Sequence, residues 1–100
     1  MEPVTSRQRK YLRGLAHSFE PIVHVGKGGI TEPLLAQISR ALEIHELIKV
    51  RFVDGKEEKA GLVAEIVART GAVEAGRVGH VSILYRQHPD PEKRTIELPD

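Results

Sequence analysis

The spacing of hydrophobic residues changes period several times along this 100-residue chain. Apolar residues recur at helical spacing from Thr5 to His17, again after Thr31, and again before Gly71. Short β-branched or alternating stretches separate these segments, and two more form a hairpin towards the end. A chain of this length forms one domain, and we expect its strands to share one sheet. Because strand-helix-strand units give parallel neighbours and a hairpin gives antiparallel ones, the sequence predicts a mixed sheet.

The predicted fold is an α/β (α+β) domain in which three helices pack on a compact, mixed four-stranded sheet, in the order α-β-α-β-α-β-β. The segments are helix 5–17, strand 22–25, a helix from 31, strand 47–53, a helix ending at Gly71, and strands 72–77 and 81–87. Thr5 and Gln8 are expected to form a capping box at the start of the first helix. After a turn at Asp54-Gly55, Asp54 and Glu57 are expected to cap the third helix.

Further expectations complete the predicted fold. The hairpin is expected to turn at Val78-Gly79, and His24, which alternates with apolar residues, is expected to be a packed core residue. Residues 1–100 are expected to form a single domain with its core at about 5–87 and a short C-terminal extension, 88–100. Within that extension, residues 88–91 predict a loop because proline cannot donate to a sheet, and residues 95–98 are expected to add an edge strand.

The composition limits the function classes open to the chain. The absence of cysteine excludes disulfides and thiolate metal sites. No apolar run approaches the roughly 20 residues that span a bilayer. Residues 1–10 lack the apolar core of a secretory signal. We therefore expect a cytoplasmic protein without a membrane partner, with a monomer as the default.

Neither a metal site nor a catalytic site is expected. The five histidines have no metal-ligand spacing, and no serine lies in a G-x-S-x-G motif. The acidic residues show no paired arrangement that would suit acid–base chemistry. The sequence therefore predicts no catalytic residue, no metal and no cofactor, and it favours a binding protein over an enzyme.

Positive charge is concentrated in the first third of the chain. Residues 1–30 carry five basic and two acidic side chains, whereas residues 31–100 carry ten basic and twelve acidic ones. Four of the basic residues are predicted on the solvent side of the first helix: Arg7, Arg9, Lys10 and Arg13. A balanced chain with one basic end indicates a local anionic partner.

The segment Gly26-Lys27-Gly28-Gly29 lies between a predicted strand and a predicted helix. Three glycines in four positions cost chain entropy, which is tolerated where the backbone needs unusual dihedral angles or approaches a ligand closely. The start of the following helix favours an anion, and Lys27 adds a mobile ammonium. The spacing fits neither a Walker loop, because Gly28 follows Lys27, nor a dinucleotide fingerprint, because Thr31 replaces its third glycine. A plain tight turn is the alternative.

A chain of phosphates suits these residues better than a single nucleotide, because the cations are spread out. The candidate nucleic-acid-binding residues are Gly26, Lys27, Gly28 and Gly29 in the loop, Arg7, Arg9, Lys10 and Arg13 on the first helix, and Lys49, Arg51 and Arg86 on the strands. Their adjacency in one extended surface is a hypothesis. Aromatic residues are 4% of the chain, which argues against a platform for unpaired bases. The pattern favours nucleic-acid binding through the phosphate backbone.

Several sequence blocks together resemble the CRM (chloroplast RNA splicing and ribosome maturation) domain family, in its single-domain bacterial YhbY-like form. The blocks are residues 11–17 (YLRGLAH), 25–31 (VGKGGIT), 41–43 (ALE), 45–50 (HELIKV), 69–72 (RTGA) and 84–86 (LYR). The resemblance implies a mixed four-stranded sheet with three helices, similar to the C-terminal domain of translation initiation factor three. It also implies that the loop from Gly26 to Gly29 takes part in RNA binding with a neighbouring basic surface.

The resemblance further implies a partner and a process. Bacterial relatives are linked to precursors of the large ribosomal subunit, so precursor rRNA or the immature subunit is the expected partner, in ribosome assembly. A protein-docking module of the ribosome or its assembly machinery is an alternative, and a small-nucleotide-binding enzyme using the same loop is a third.

Overall fold

The computed structural model describes residues 4–53 and 58–100. Within these residues, three helices and four strands follow one another in the predicted order. They are α1 (Ser6–Ala16), β1 (Val23–Val25), α2 (Glu32–His45), β2 (Leu47–Phe52), α3 (Lys59–Thr70), β3 (Val73–Val78) and β4 (Val81–Tyr85), and a 3-10 helix, Pro91–Lys93, comes after them. The predicted fold class, three helices on a mixed four-stranded sheet, is confirmed.

The order of strands in the sheet is β1-β2-β4-β3. β1 runs parallel to β2, whereas β4 runs antiparallel to both β2 and β3. In the parallel pair, His24 lies opposite Arg51 and Val25 lies opposite Phe52. The chain that leaves β1 therefore emerges beside the end of β2, which fixes where the glycine-rich loop lies.

Helices cover both faces of the sheet. α2 and α3 pack on one face, where Val50 and Ile66 belong to the larger hydrophobic core. α1 packs on the other face, where Leu12 belongs to a second core with Leu47 and Tyr85. Because both faces are covered at the start of β2, its first two residues, Leu47 and Ile48, are both apolar and buried. α1 covers only part of its face.

Local sequence determines where each helix begins and ends. The Thr5 hydroxyl accepts from the Gln8 N–H at 3.1 Å, and the Gln8 side chain accepts from the Thr5 N–H at 3.0 Å, so the predicted capping box is confirmed. The Thr31 hydroxyl caps α2, and Gly71 ends α3 in the left-handed region with φ 77°. The predicted turn at Asp54-Gly55 and the caps Asp54 and Glu57 lie outside the described residues.

The predictions for the hairpin turn and for His24 are wrong. Val78 pairs with Val81 as part of the sheet, so the hairpin turns at Gly79-His80, where Gly79 takes φ 58°. A two-residue hairpin loop favours residues with positive φ, which a glycine adopts more readily than a valine. His24 is exposed, because its side chain belongs to the face that α1 leaves uncovered beside β1.

Glu46 fixes the C-terminal segment to the rest of the fold. This buried residue follows α2 with φ 63°, and its carboxylate accepts the backbone N–H groups of His88, Thr95 and Ile96 at 2.7, 2.6 and 3.0 Å. Ile96 and Leu98 then pack against the second core. The predicted edge strand at 95–98 is wrong, because a carboxylate accepts the N–H groups of residues 95 and 96.

Candidate nucleic-acid interface

The loop Gly26–Gly29 is an exposed tight turn. The Gly29 N–H donates to the Gly26 carbonyl at 3.0 Å, and Gly29 has φ 66°, which a glycine adopts without strain. No atom lies within 4 Å of a Cβ built on Gly26, Gly28 or Gly29. The turn itself therefore requires a glycine only at position 29. The bare backbone at positions 26 and 28 leaves open space that the fold does not use.

The end of β2 brings Arg51 towards this loop. The Val53 N–H donates to the Val25 carbonyl at 3.0 Å, so the two chain segments stay side by side as the loop begins. Arg51 is exposed two residues before Val53, on the face of the sheet that also carries Lys49. The alternation that places Lys49 and Arg51 on one face is as predicted.

Arg13, Lys49 and Arg51 line one groove on the sheet face that α1 leaves open, and we call it the basic groove. Its volume is about 480 Å³. The other lining residues are His17, Phe19, Glu20, Pro21, Val78, Val81 and Ile83. Three guanidinium or ammonium groups thus face a single carboxylate, that of Glu20, and the groove favours anions.

Hydrogen bonds hold two of these cations in position. The Lys49 ammonium donates to the Phe19 carbonyl at 2.9 Å, and Arg13 Nη1 donates to the Ala75 carbonyl at 3.0 Å. An arginine has five N–H donors and a lysine three, so each cation keeps donors for an anion in the groove. His24 pairs with Arg51 across the parallel strands and is exposed, a position that the sequence did not predict.

The predicted basic face of α1 divides in two. Arg9 is half-buried, and its Nη1 donates to the Glu74 carbonyl at 3.0 Å. With Arg13 it satisfies carbonyls where β3 bulges between Glu74 and Gly76. The prediction that Arg9 belongs to a solvated basic ridge is therefore wrong, because the bulge offers carbonyls that α1 can reach. Arg7 and Lys10 are exposed and do not line the basic groove.

Arg86 lies on the opposite face of the sheet from Lys49 and Arg51. Its guanidinium donates to the carbonyl and hydroxyl of Ser39 at 2.8 and 3.0 Å and to the carbonyl of Thr70 at 2.8 Å. These bonds join the end of α3 to the middle of α2. The predicted extended surface therefore does not include Arg86, because it lies on the opposite face and three of its N–H groups bind the neighbouring helices.

The start of α2 is less open to an anion than the sequence suggests. The Thr31 hydroxyl accepts from the Leu34 N–H, and Glu32 adds a carboxylate in the first turn. Glu32 forms an ion pair with Arg69 of α3. The loop and the basic groove, rather than the helix start, hence carry the candidate interface.

Across residues 4–53 and 58–100, histidine, aspartate and glutamate side chains form no group of three or more that could hold a metal ion. None of the helices in those residues has the length and hydrophobicity of a membrane span.

Known proteins resemble this chain along almost its whole length. The model of the CRS1/YhbY (CRM) domain matches residues 4–86. An RNA-binding protein of Haemophilus influenzae is 39% identical over 100 residues, which cover 99% of this chain and 98% of that protein. The probable RNA-binding protein YqeI of Bacillus subtilis is 37% identical over 97 residues, covering 96% of this chain and 99% of the relative.

A solved structure shares the fold. The solution structure of the hypothetical protein SAV1595 of Staphylococcus aureus, which is proposed to bind RNA, superposes with a TM-score of 0.81 at 36% identity. The match covers 97% of this chain and 100% of the solved one. The solved structure has the fold described above, and the family model and the relatives match most of the sequence. This chain therefore belongs to the CRS1/YhbY (CRM) domain family.

Proposed function

We propose that this protein binds structured RNA by its phosphates, through the Gly26–Gly29 loop and the basic groove. One observation carries the proposal: Arg13, Lys49 and Arg51 line a single groove, and the open glycine turn lies beside the strand end that holds Arg51. The relatives named as RNA-binding proteins support RNA as the anion. The proposed contacts keep Lys27 from the loop and omit Arg9 and Arg86, whose donors serve the fold.

Phosphate recognition follows from the type and placement of these groups. Guanidinium and ammonium groups spread along a groove match the repeated charges of a nucleic-acid backbone, and releasing counterions from that backbone drives binding. Exposed backbone without side chains lets a strand approach closely at Gly26 and Gly28. Contacts to the phosphates and sugars of the RNA fix the position of the protein on it without reading the base sequence. The shape of the RNA therefore selects the target.

Precursor rRNA of the large ribosomal subunit is the partner we propose, with a role in ribosome assembly. Membership of the CRM family supports this choice. Crosslinking in cells followed by sequencing of the attached RNA tests it. We expect large-subunit precursor rRNA to be enriched over other RNA, and the Arg51→Ala variant to lose that enrichment. Recovery of unrelated RNA, or of none, contradicts the proposed partner.

Binding by the groove is tested with a purified RNA hairpin and fluorescence anisotropy. Arg51→Ala removes an exposed groove cation, whereas Lys93→Ala removes the same charge from the exposed 3-10 helix. We expect the first change to weaken binding several-fold more than the second, with both proteins folded. Equal effects contradict a groove-specific contact. A protein that ignores RNA yet co-sediments with ribosomal particles is instead a docking module.

A further inference from the structure

Two of the four aromatic side chains are exposed, and they line one groove. Tyr11 is 42% and Phe19 39% exposed, whereas Phe52 and Tyr85 are fully buried. The groove between α1, the end of α2 and the C-terminal segment has a volume of about 430 Å³, and we call it the aromatic groove. Its other lining residues are Leu15, Ile44, His45, Thr95, Ile96 and Glu97.

The aromatic groove adjoins the basic groove at Phe19. Phe19 lines both grooves, and its carbonyl accepts from the Lys49 ammonium at 2.9 Å. A phosphate chain that reaches Lys49 therefore arrives beside an exposed aromatic ring, with a second ring, that of Tyr11, in the same groove.

We propose that Tyr11 and Phe19 stack on unpaired bases of an RNA whose phosphates occupy the basic groove. This inference rests on the proposed function and narrows its target to structured RNA with a single-stranded segment. Stacking suits any base because each has an aromatic face. The low aromatic content of the sequence argued against such a platform. The positions of the two exposed rings matter more than the number of aromatic residues in the chain, because two neighbouring rings can hold two bases.

RNA explains both grooves with one occupant. A large exposed apolar surface marks an interaction site, and Ile44, 57% exposed, extends the apolar wall beside the rings. An apolar protein segment would cover the rings but leave Lys49 and Arg51 beside it without an anion. A nucleotide chain supplies the flat apolar face and the charge together.

The test compares two RNAs of equal phosphate number, a blunt hairpin and a hairpin with a single-stranded extension carrying 2-aminopurine. Phe19→Ala and Tyr11→Ala each remove a ring, Phe19→Tyr keeps one, and Ile22→Ala removes an exposed apolar side chain that lines neither groove. We expect wild type to prefer the extended RNA and to quench 2-aminopurine fluorescence. Each ring deletion should weaken that complex about tenfold, since stacking of one base contributes about that factor.

The remaining measurements separate stacking from other roles. Affinity for the blunt hairpin should stay at the wild-type value in both ring deletions, and Phe19→Tyr and Ile22→Ala should bind the extended RNA nearly as wild type does. Equal affinity of wild type for the two RNAs, or ring deletions that change neither, overturns the stacking proposal and leaves phosphate binding intact. Loss of affinity for both RNAs to the same degree also overturns it. Failure of wild type to bind either RNA defeats the proposed function itself.

Discussion

The side chain of Arg13 lies across the backbone of Gly76, where β3 bulges. A Cβ at position 76 would lie 2.9 Å from Arg13 Cγ and closer still to Cδ, so a larger residue there collides with the arginine. From this position Arg13 donates to the Ala75 carbonyl at 3.0 Å and also lines the basic groove. The absence of a side chain at Gly76, on the edge strand β3, thus positions one cation of the candidate interface.

Gly76→Ala should therefore affect stability and RNA binding together. Moving Arg13 breaks its bond to the Ala75 carbonyl, and we expect a loss of about 1 kcal/mol in the free energy of unfolding. RNA affinity should fall several-fold. Gly14→Ala is the control, because it adds a Cβ in open space on α1 and should stabilise by about 0.5–1 kcal/mol. Urea denaturation measures both variants, and equal stability of Gly76→Ala and wild type contradicts the contact.

Arg86→Ala should unfold more easily without an intrinsic change in RNA affinity. The substitution removes three hydrogen bonds of a charged group and leaves the Thr70 carbonyl at the end of α3 without this donor, which costs about 2–3 kcal/mol. Arg40→Ala removes the same charge from an exposed position of α2 and should change stability by less than about 0.5 kcal/mol. A stable Arg86→Ala protein with weakened RNA binding would return Arg86 to the interface.

Glu46 should make stability depend on pH in the acid range. Burial alone would raise the pKa of the Glu46 carboxyl, but hydrogen bonds from the backbone of His88, Thr95 and Ile96 and from the Thr95 hydroxyl outweigh it, and the pKa lies below its ordinary value of 4.5. The Glu46 carboxylate therefore binds a proton more tightly in the unfolded chain than in the folded protein. The contribution of Glu46 to the free energy of unfolding is present in full above the pKa that Glu46 has in the unfolded chain. It is lost as the pH falls through the lower pKa of the folded protein.

Glu46→Gln isolates this contribution. At neutral pH the variant should lose about 2 kcal/mol in the free energy of unfolding, because charge-assisted hydrogen bonds to the C-terminal segment are weakened. The difference from wild type should shrink as pH falls below about 4.5. Glu74, whose pKa is also lowered against burial by bonds from Arg77 and Ser82, titrates in both proteins and cancels. A difference in the free energy of unfolding that is constant with pH contradicts the assignment of this pH dependence to Glu46.

The features that the sequence predicted correctly are set by neighbours along the chain. The cap formed by Thr5 and Gln8 depends on residues three apart, and the αL glycine at position 71 depends on its own backbone. Alternation likewise placed Lys49 and Arg51 on one face. These features need no knowledge of the tertiary fold.

The features that the sequence missed depend on which element covers which face. Alternation placed His24 opposite its apolar neighbours, but whether that face is buried depends on how far α1 extends. The sequence indicated solvated cations at Arg9 and Arg86. In the structure, Arg9 donates to a carbonyl at the β3 bulge, and Arg86 donates to carbonyls of α2 and α3. Glu46 offered one local indication, because a carboxylate at a helix C-terminus opposes the helix dipole and so needs other partners.

The central claim is that the glycine loop and the basic groove bind RNA phosphates, and the salt dependence of affinity at Lys27 tests it most directly. Lys27 is exposed on the turn, so Lys27→Ala should leave the free energy of unfolding unchanged. The account predicts weaker RNA binding and a slope of log affinity against log salt reduced in magnitude by about 0.7–0.9, the value for one lost phosphate contact. Lys93→Ala should keep the wild-type slope. A Lys27→Ala protein with wild-type affinity and slope would contradict the account.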